Sequence, residues 1–210
     1  MTARGPRPSR WWIAAVPVAV ATMLAANAYR VPTFWYESGQ HHEIAAGAAS
    51  DWLAVTERTS DAHGDYLRRY DVRLAGLGGE QTAYEDRHGS EFELPDGMVA
   101  RTVDLQFRAD PDVPLKSCAV TVIDDEGRAY RVGHVFDSLG PSVTVCVPER
   151  TPGPSIPLFR SQPRGALDPE ELPRPAQWST SPAIAVPKDA RLVELRISFE
   201  NPDYVTLRLP

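Results

Sequence analysis

Lysine is almost missing from this chain: Lys116 and Lys188 stand alone among 210 residues, against 20 arginines. Asparagine is as rare, at Asn27 and Asn201. Both deficits follow the codons rather than the chemistry and read as translation from a GC-rich bacterial genome. No cluster of basic side chains is present, which excludes nucleic acid as a partner, because that binding needs cations to replace counterions on phosphate. Cysteine is limited to Cys118 and Cys146. None lies just after the apolar stretch near the start, which excludes a lipid-modified cysteine there. The motifs of catalysis and metal binding are missing too: no GxSxG elbow, no HExxH, no CxxC and no phosphate loop, since Gly76, Gly78 and Gly79 run into Glu80 and Gln81. His41, His42, His63, His88 and His134 lack ligand spacing and read as solvated surface histidines. Asp110, Asp112, Asp124, Asp125 and Glu126 sit around turns, where Asp is favoured, and form no EF-hand loop. The expectation is therefore no catalytic residue, no cofactor and no metal.

One long apolar run stands out. Residues 11–28 carry no charge and only Thr22 and Asn27 as polar side chains. At 1.5 Å per residue such a run reaches roughly 27 Å as a helix, near the thickness of a bilayer's hydrocarbon core. Arg4, Arg7 and Arg10 precede it, whereas Arg30 is the only Lys or Arg between Tyr29 and Glu57. The positive-inside rule then places residues 1–10 in the cytoplasm as a basic tail, 11–29 in the plasma membrane as a single-pass signal-anchor helix, and the rest outside. Trp11 and Trp12 would mark the inner interface, and Phe34, Trp35 and Tyr36 the outer one. A cleaved signal peptide is the alternative, because Ala26-Asn27-Ala28 has the small-x-small form that signal peptidase accepts. The formal charge of −6 also divides here: residues from Tyr29 onward carry 19 basic and 28 acidic side chains, a net −9.

Beyond a juxtamembrane spacer at 30–50, whose Gly-Ala-rich end reads equally as stalk or first strand, residues 51–210 alternate with period two between turns. Strand candidates lie at 52–56, 66–77, 98–109, 118–123, 128–132, 142–147, 192–199 and 204–209. The clearest is 98–109, with Val99, Val103, Leu105, Phe107 and Ala109 on one parity and Thr102, Asp104, Gln106 and Arg108 on the other. About eight short strands and no helix after the membrane segment predict an all-β antiparallel sandwich with one core. Ten of the 20 prolines fall between Pro148 and Pro187. Proline cannot donate to a strand ladder, so 148–187 is expected to be an irregular excursion laid over the sandwich, held by Phe159 and Trp178, and the best candidate for a contact surface. In an oxidising compartment Cys118 and Cys146 are expected to form a disulfide. Cys118 shares parity with Val120 and Val122, but Cys146 opposes Val143, Val145 and Val147, so the bond should join strand ends rather than cross the core.

Three segments, VARTVDLQFRA at 99–109, CAVTVIDDEGRAY at 118–130 and AIAVPKDARLVELRIS at 183–198, resemble small immunoglobulin-like sandwich domains of unknown function in exported, membrane-held proteins of Gram-positive bacteria. The resemblance covers about half the chain. It implies an immunoglobulin-like fold and an extracytoplasmic location, and carries no catalytic residues. The function expected is binding or cell-envelope organisation without catalysis, with the lipid bilayer at 11–29 and an unidentified envelope or membrane protein as partners. Release after Ala28 as a secreted binding protein is the alternative, and an extracytoplasmic hydrolase with an unrecognised site is the third.

Overall fold

In a computed structural model of the chain, residues 11–28, 30, 39–85, 91–116, 118–132, 145–167, 169 and 172–210 are described. They fall into two units, Met1–Gly39 and Gln40–Pro210. The first holds one helix, α1 (Trp11–Asn27), with Pro17 inside it. Its polar groups are satisfied locally: Thr22 Oγ1 donates to the Val18 carbonyl and Asn27 Nδ2 to the Met23 carbonyl. At 17 residues α1 is roughly 25 Å long, short of a core of about 30 Å. Among the described residues no helix is long and apolar enough to cross a membrane.

The second unit is all-β. Its strands are β1 (His42–Ala48), β2 (Leu53–Asp61), β3 (Gly64–Leu77), β4 (Ala83–Glu85), β5 (Glu91–Glu93), β6 (Met98–Arg108), β7 (Ala119–Asp124), β8 (Ala129–Arg131), β9 (Gln177–Thr180), β10 (Ala183–Pro187), β11 (Leu192–Ser198) and β12 (Asp203–Arg208). One sheet runs β1-β12-β11-β7-β8; the other runs β10-β6-β3-β2, with β9 also on β6; β4 and β5 pair only with each other. The inner faces of the two five-stranded sheets share one apolar core. Alternation decides which side chains enter it. From β6 come Val99, Val103, Leu105 and Phe107, from β3 Tyr70, Val72 and Leu74, from β7 Val120 and Val122, and from β11 and β12 Leu195, Ile197, Val205 and Leu207. Tyr70 and Phe199 meet edge to face at 5.0 Å.

Three expectations need correction. Of the two readings left open for the end of the spacer, the strand is the one found, and β1 pairs parallel with β12, so the sheets are not the wholly antiparallel ones expected. Its small residues, Ala45 to Ala48, lie beside Val205, Thr206, Leu207 and Arg208. The proline-rich stretch is not irregular throughout: β9 and β10 form one interrupted strand along β6. Proline is tolerated there because the strand is an edge. Pro182 occupies the break and gives its carbonyl to the Val103 N–H (2.9 Å), while Pro187 ends the strand. Finally, residues 145–147 form bends and no strand, and 142–144 lie outside the described residues.

The Cys118–Cys146 disulfide is present, with Cα atoms 6.0 Å apart, and both cysteines are buried. Cys118 lies just ahead of β7, at a strand end. On the other sheet Trp178 stands opposite Phe107, the two rings stacked at 5.5 Å, and its indole Nε1 donates to the Cys146 carbonyl (2.8 Å). Replacing Trp178 by Phe keeps the stack but leaves that buried carbonyl unpaired. The expected cost is about 1–3 kcal/mol in denaturant unfolding, whereas Phe159→Ala at an exposed site should shift stability by no more than about 0.5 kcal/mol.

Candidate functional site

The segment from Cys146 to Arg174 is fastened at both ends and at its middle. Arg174 is buried, and among the described residues no carboxylate forms an ion pair with it. Its Nη2 donates to the carbonyls of Asp110 (2.9 Å) and Val113 (2.8 Å), its Nη1 to that of Pro152 (3.3 Å), and its guanidinium lies 4.5 Å from the centre of the Trp178 ring. Burial lowers its pKa to about 10, with Asp112 opposing the shift, so it stays charged at neutral pH. Gly153 makes room for it: at φ +77° it adopts a conformation that other residues avoid, and a Cβ there would come within 2.9 Å of Nη1.

The middle of the segment is held by the β2–β3 hairpin. Ala62 N–H donates to the Pro157 carbonyl (3.3 Å), His63 Nε2 to the Gln162 carbonyl (2.7 Å), and Arg164 forks onto Asp61 through Nε (2.7 Å) and Nη2 (2.8 Å) while covering the Tyr66 ring. Inside the loop the Gln162 side-chain oxygen accepts the N–H groups of Leu158 (3.0 Å) and Phe159 (3.3 Å), and Gln162 N–H closes the turn onto the Phe159 carbonyl (3.0 Å). The outcome is an ordered turn whose two large apolar side chains face solvent, Leu158 at 78% and Phe159 at 66% exposure.

Beside this turn the interior becomes polar. Glu57 and Arg68 occupy inward positions of β2 and β3, directly paired in register, and both are buried. Arg68 donates to Glu57 through Nε (3.1 Å) and Nη2 (3.3 Å), and reaches Glu200 at 3.7 Å. Burial raises the Glu57 pKa, with Arg68 opposing it. Thr59 Oγ1 donates to Glu200 Oε2 (2.5 Å). A recess of about 240 Å³ opens here, lined by Glu57, Arg58, Thr59, Asp65, Glu200 and Asp203 among others. The lining holds four carboxylates and Arg58; with Arg68 against Glu57 and Glu200 and His42 against Asp203, the carboxylates remain in excess, which suits the recess to a cationic group.

The residues expected to carry function separate. Phe159 is exposed, but Trp178 is 5% exposed and acts as a core residue, so the contact surface expected of the pair rests on Phe159 alone. Trp11 and Trp12 belong to α1, but their side chains lie outside the description, as do Phe34, Trp35 and Tyr36 altogether. His42 Nδ1 donates to Asp203 (2.8 Å), and His88 and His134 lie outside the described residues. Among the described residues no group of three His, Cys, Asp or Glu is placed to hold a metal ion. Asp124 is a turn residue: its carboxylate accepts from the backbone N–H of Glu126 (3.0 Å) and Arg128 (2.8 Å), from Arg128 Nε (2.6 Å) and from Tyr130 Oη (2.8 Å).

No family model matches the chain, and no curated protein matches it. A solved structure of a conserved hypothetical protein from Bacillus anthracis is similar over 75% of this chain and 96% of its own, at 12% identity and a TM-score of 0.33. A likeness of that degree carries no argument about either fold or function.

Glu57, Arg68, Arg164 and Arg174 were not anticipated from the sequence, although two of them left a signal. Glu57 shares parity with Val55, and Arg68 with Tyr70 and Val72, so a charge on each inward face was readable from alternation alone.

The acid limb of stability follows from the held carboxylates. The Arg164 fork lowers the Asp61 pKa; burial pushes Asp124 up, but its hydrogen bonds, led by Arg128, outweigh this and hold it at about 2. Both groups therefore add stability that is complete above their unfolded values near about 4 and disappears as pH falls through the folded ones. The denaturation midpoint should drop across that window. Arg164→Ala should flatten part of the drop and speed chymotrypsin cleavage after Phe159 severalfold.

Proposed function

We propose that this chain is an exported protein held at the plasma membrane, whose all-β unit has immunoglobulin-like topology and works by binding rather than catalysis. The observation that carries this reading is the buried Cys118–Cys146 disulfide, since such bonds form and persist outside the reducing cytosol. Two features support the address: the basic residues Arg4, Arg7 and Arg10 before an uncharged stretch, and the exposed apolar side chains of α1, Val16, Val18, Val20, Met23 and Leu24 among them. Attachment is proposed for the whole stretch 11–29, because α1 alone falls a few ångströms short of a bilayer core. Support for the topology comes from β6 lying between β3 and β10, and from the parallel pairing of β1 with β12. Support for binding comes from the ordered turn that keeps Leu158 and Phe159 in solvent.

Cleavage after Ala28 is the second reading, favoured by the end of α1 at Asn27, one residue before the small-residue cut site. The expected result is a membrane-sedimenting chain of full length, open to protease added outside the cell, whose cysteines resist alkylation until reduced. A shortened chain in the medium would favour release, and two alkylatable thiols in freshly isolated protein would contradict export.

A further inference from the structure

We infer that the end of the all-β unit built from the β2–β3 hairpin, the 157–163 turn and the β11–β12 turn docks a short basic and apolar segment of a partner polypeptide. Three observations lead there. Leu158 and Phe159 are exposed on a turn that the Gln162 side chain, His63 and the Arg164–Asp61 fork hold in place. A surface ordered in advance loses little conformational entropy when it binds. On the adjoining hairpin Leu67 is 49% exposed, opposite Arg58, which lines the acidic recess. Asp65, also in the recess lining, sits between Gly64, whose carbonyl accepts from Arg164, and Tyr66, which Arg164 covers. The turn and the recess thus belong to one hairpin end, the turn beside Tyr66 on the inner face of β3 and Leu67 beside Arg58 on the outer one.

Charge and size select the occupant. Glu57, Asp65, Glu200 and Asp203 line the recess with Arg58, while Arg68 pairs with Glu57 and reaches Glu200 and His42 donates to Asp203. The carboxylates still outnumber these cations, and the chain beyond Tyr29 carries −9, so a basic group is attracted and an anionic bilayer surface is repelled, Arg160 beside Phe159 notwithstanding. The two exposed apolar side chains of the turn offer roughly a few hundred Å² at most, well below the ~800 Å² per partner of a stable globular interface. That area fits an extended or single-turn segment, with a lysine or arginine in the recess and apolar side chains against Leu158 and Phe159.

This inference rests on the binding reading above but not on location, so the two fail separately. The test is amide NMR of the isotopically labelled full chain in a zwitterionic detergent with its disulfide intact, titrated with a decapeptide of alternating lysine and leucine. Saturable shifts are expected at residues 65, 158 and 159, and none from a decapeptide of glutamate and leucine. Asp65→Lys, and separately Leu158→Ser with Phe159→Ser, should each weaken binding about tenfold. All are exposed positions, and an unchanged melting temperature shows that the variants remain folded. Absence of shifts, equal binding by the variants, or the same shifts produced by phosphatidylglycerol added to the micelle instead of peptide would overturn the proposal. A cytoplasmic, reduced chain would defeat the location reading alone.

Discussion

Cys146 is tied in two directions at once. Its sulfur reaches Cys118 at the edge of β7, and its carbonyl accepts the indole N–H of Trp178 on β9, so one residue outside any strand links the two sheets. Closing the 28-residue separation is worth about 3–4 kcal/mol in the chain-entropy model. The link does more than stabilise. It fixes where the proline-rich segment leaves the core, and Arg174, lying on the face of the same Trp178, fixes where that segment returns. Between those two points the chain cannot drift far from the β2–β3 hairpin.

The second constraint is charge placed where alternation calls for apolar groups. A buried ion pair seldom outperforms a hydrophobic replacement in stability, because desolvation offsets most of the attraction. Glu57 and Arg68 are kept nonetheless at inward sites, and Glu200, in the turn that joins β11 and β12 of the other sheet, completes the group. Their effect is to make one end of the interior polar and open it as a recess, while the opposite reaches of β3 and β6 close on Val72, Leu74 and Leu105. The apolar turn at 158–159 belongs to that same end through the Arg164–Asp61 fork, so exposure of apolar side chains and burial of charged ones meet at the hairpin.

Much of the fold was legible because alternation is local. Period two located β3, β6, β11 and β12 and marked β7 and β8 at 118–123 and 128–132; the disulfide was expected and Cys118 does stand at a strand end, but Cys146 lies outside any strand and both cysteines are core. What was not legible depends on partners distant in sequence. Nothing in residues 42–48 announces a parallel neighbour 160 residues later, and proline in 182 and 187 argued against a strand that the free edge of β6 nevertheless accepts. Trp178 holds the proline-rich stretch as expected, whereas Phe159, expected to hold it as well, is exposed; that Trp178 stacks on Phe107 follows only from a register set about 70 residues away. The Arg164–Asp61 fork spans 103 residues and has no local signature at all.

The described residues of the proline-rich segment, 148–167, 169 and 172–174, form an ordered layer secured through Cys146 and Trp178. Hydrogen exchange of its backbone amides measures this directly. In the oxidised protein the amides of Ala62, Leu158 and Gln162, all donors in the clasp, should exchange far more slowly than an unstructured chain; on reduction they should lose protection while those of β3 and β6 retain it. Exchange of the same amides at the unstructured rate with the disulfide intact would contradict the account.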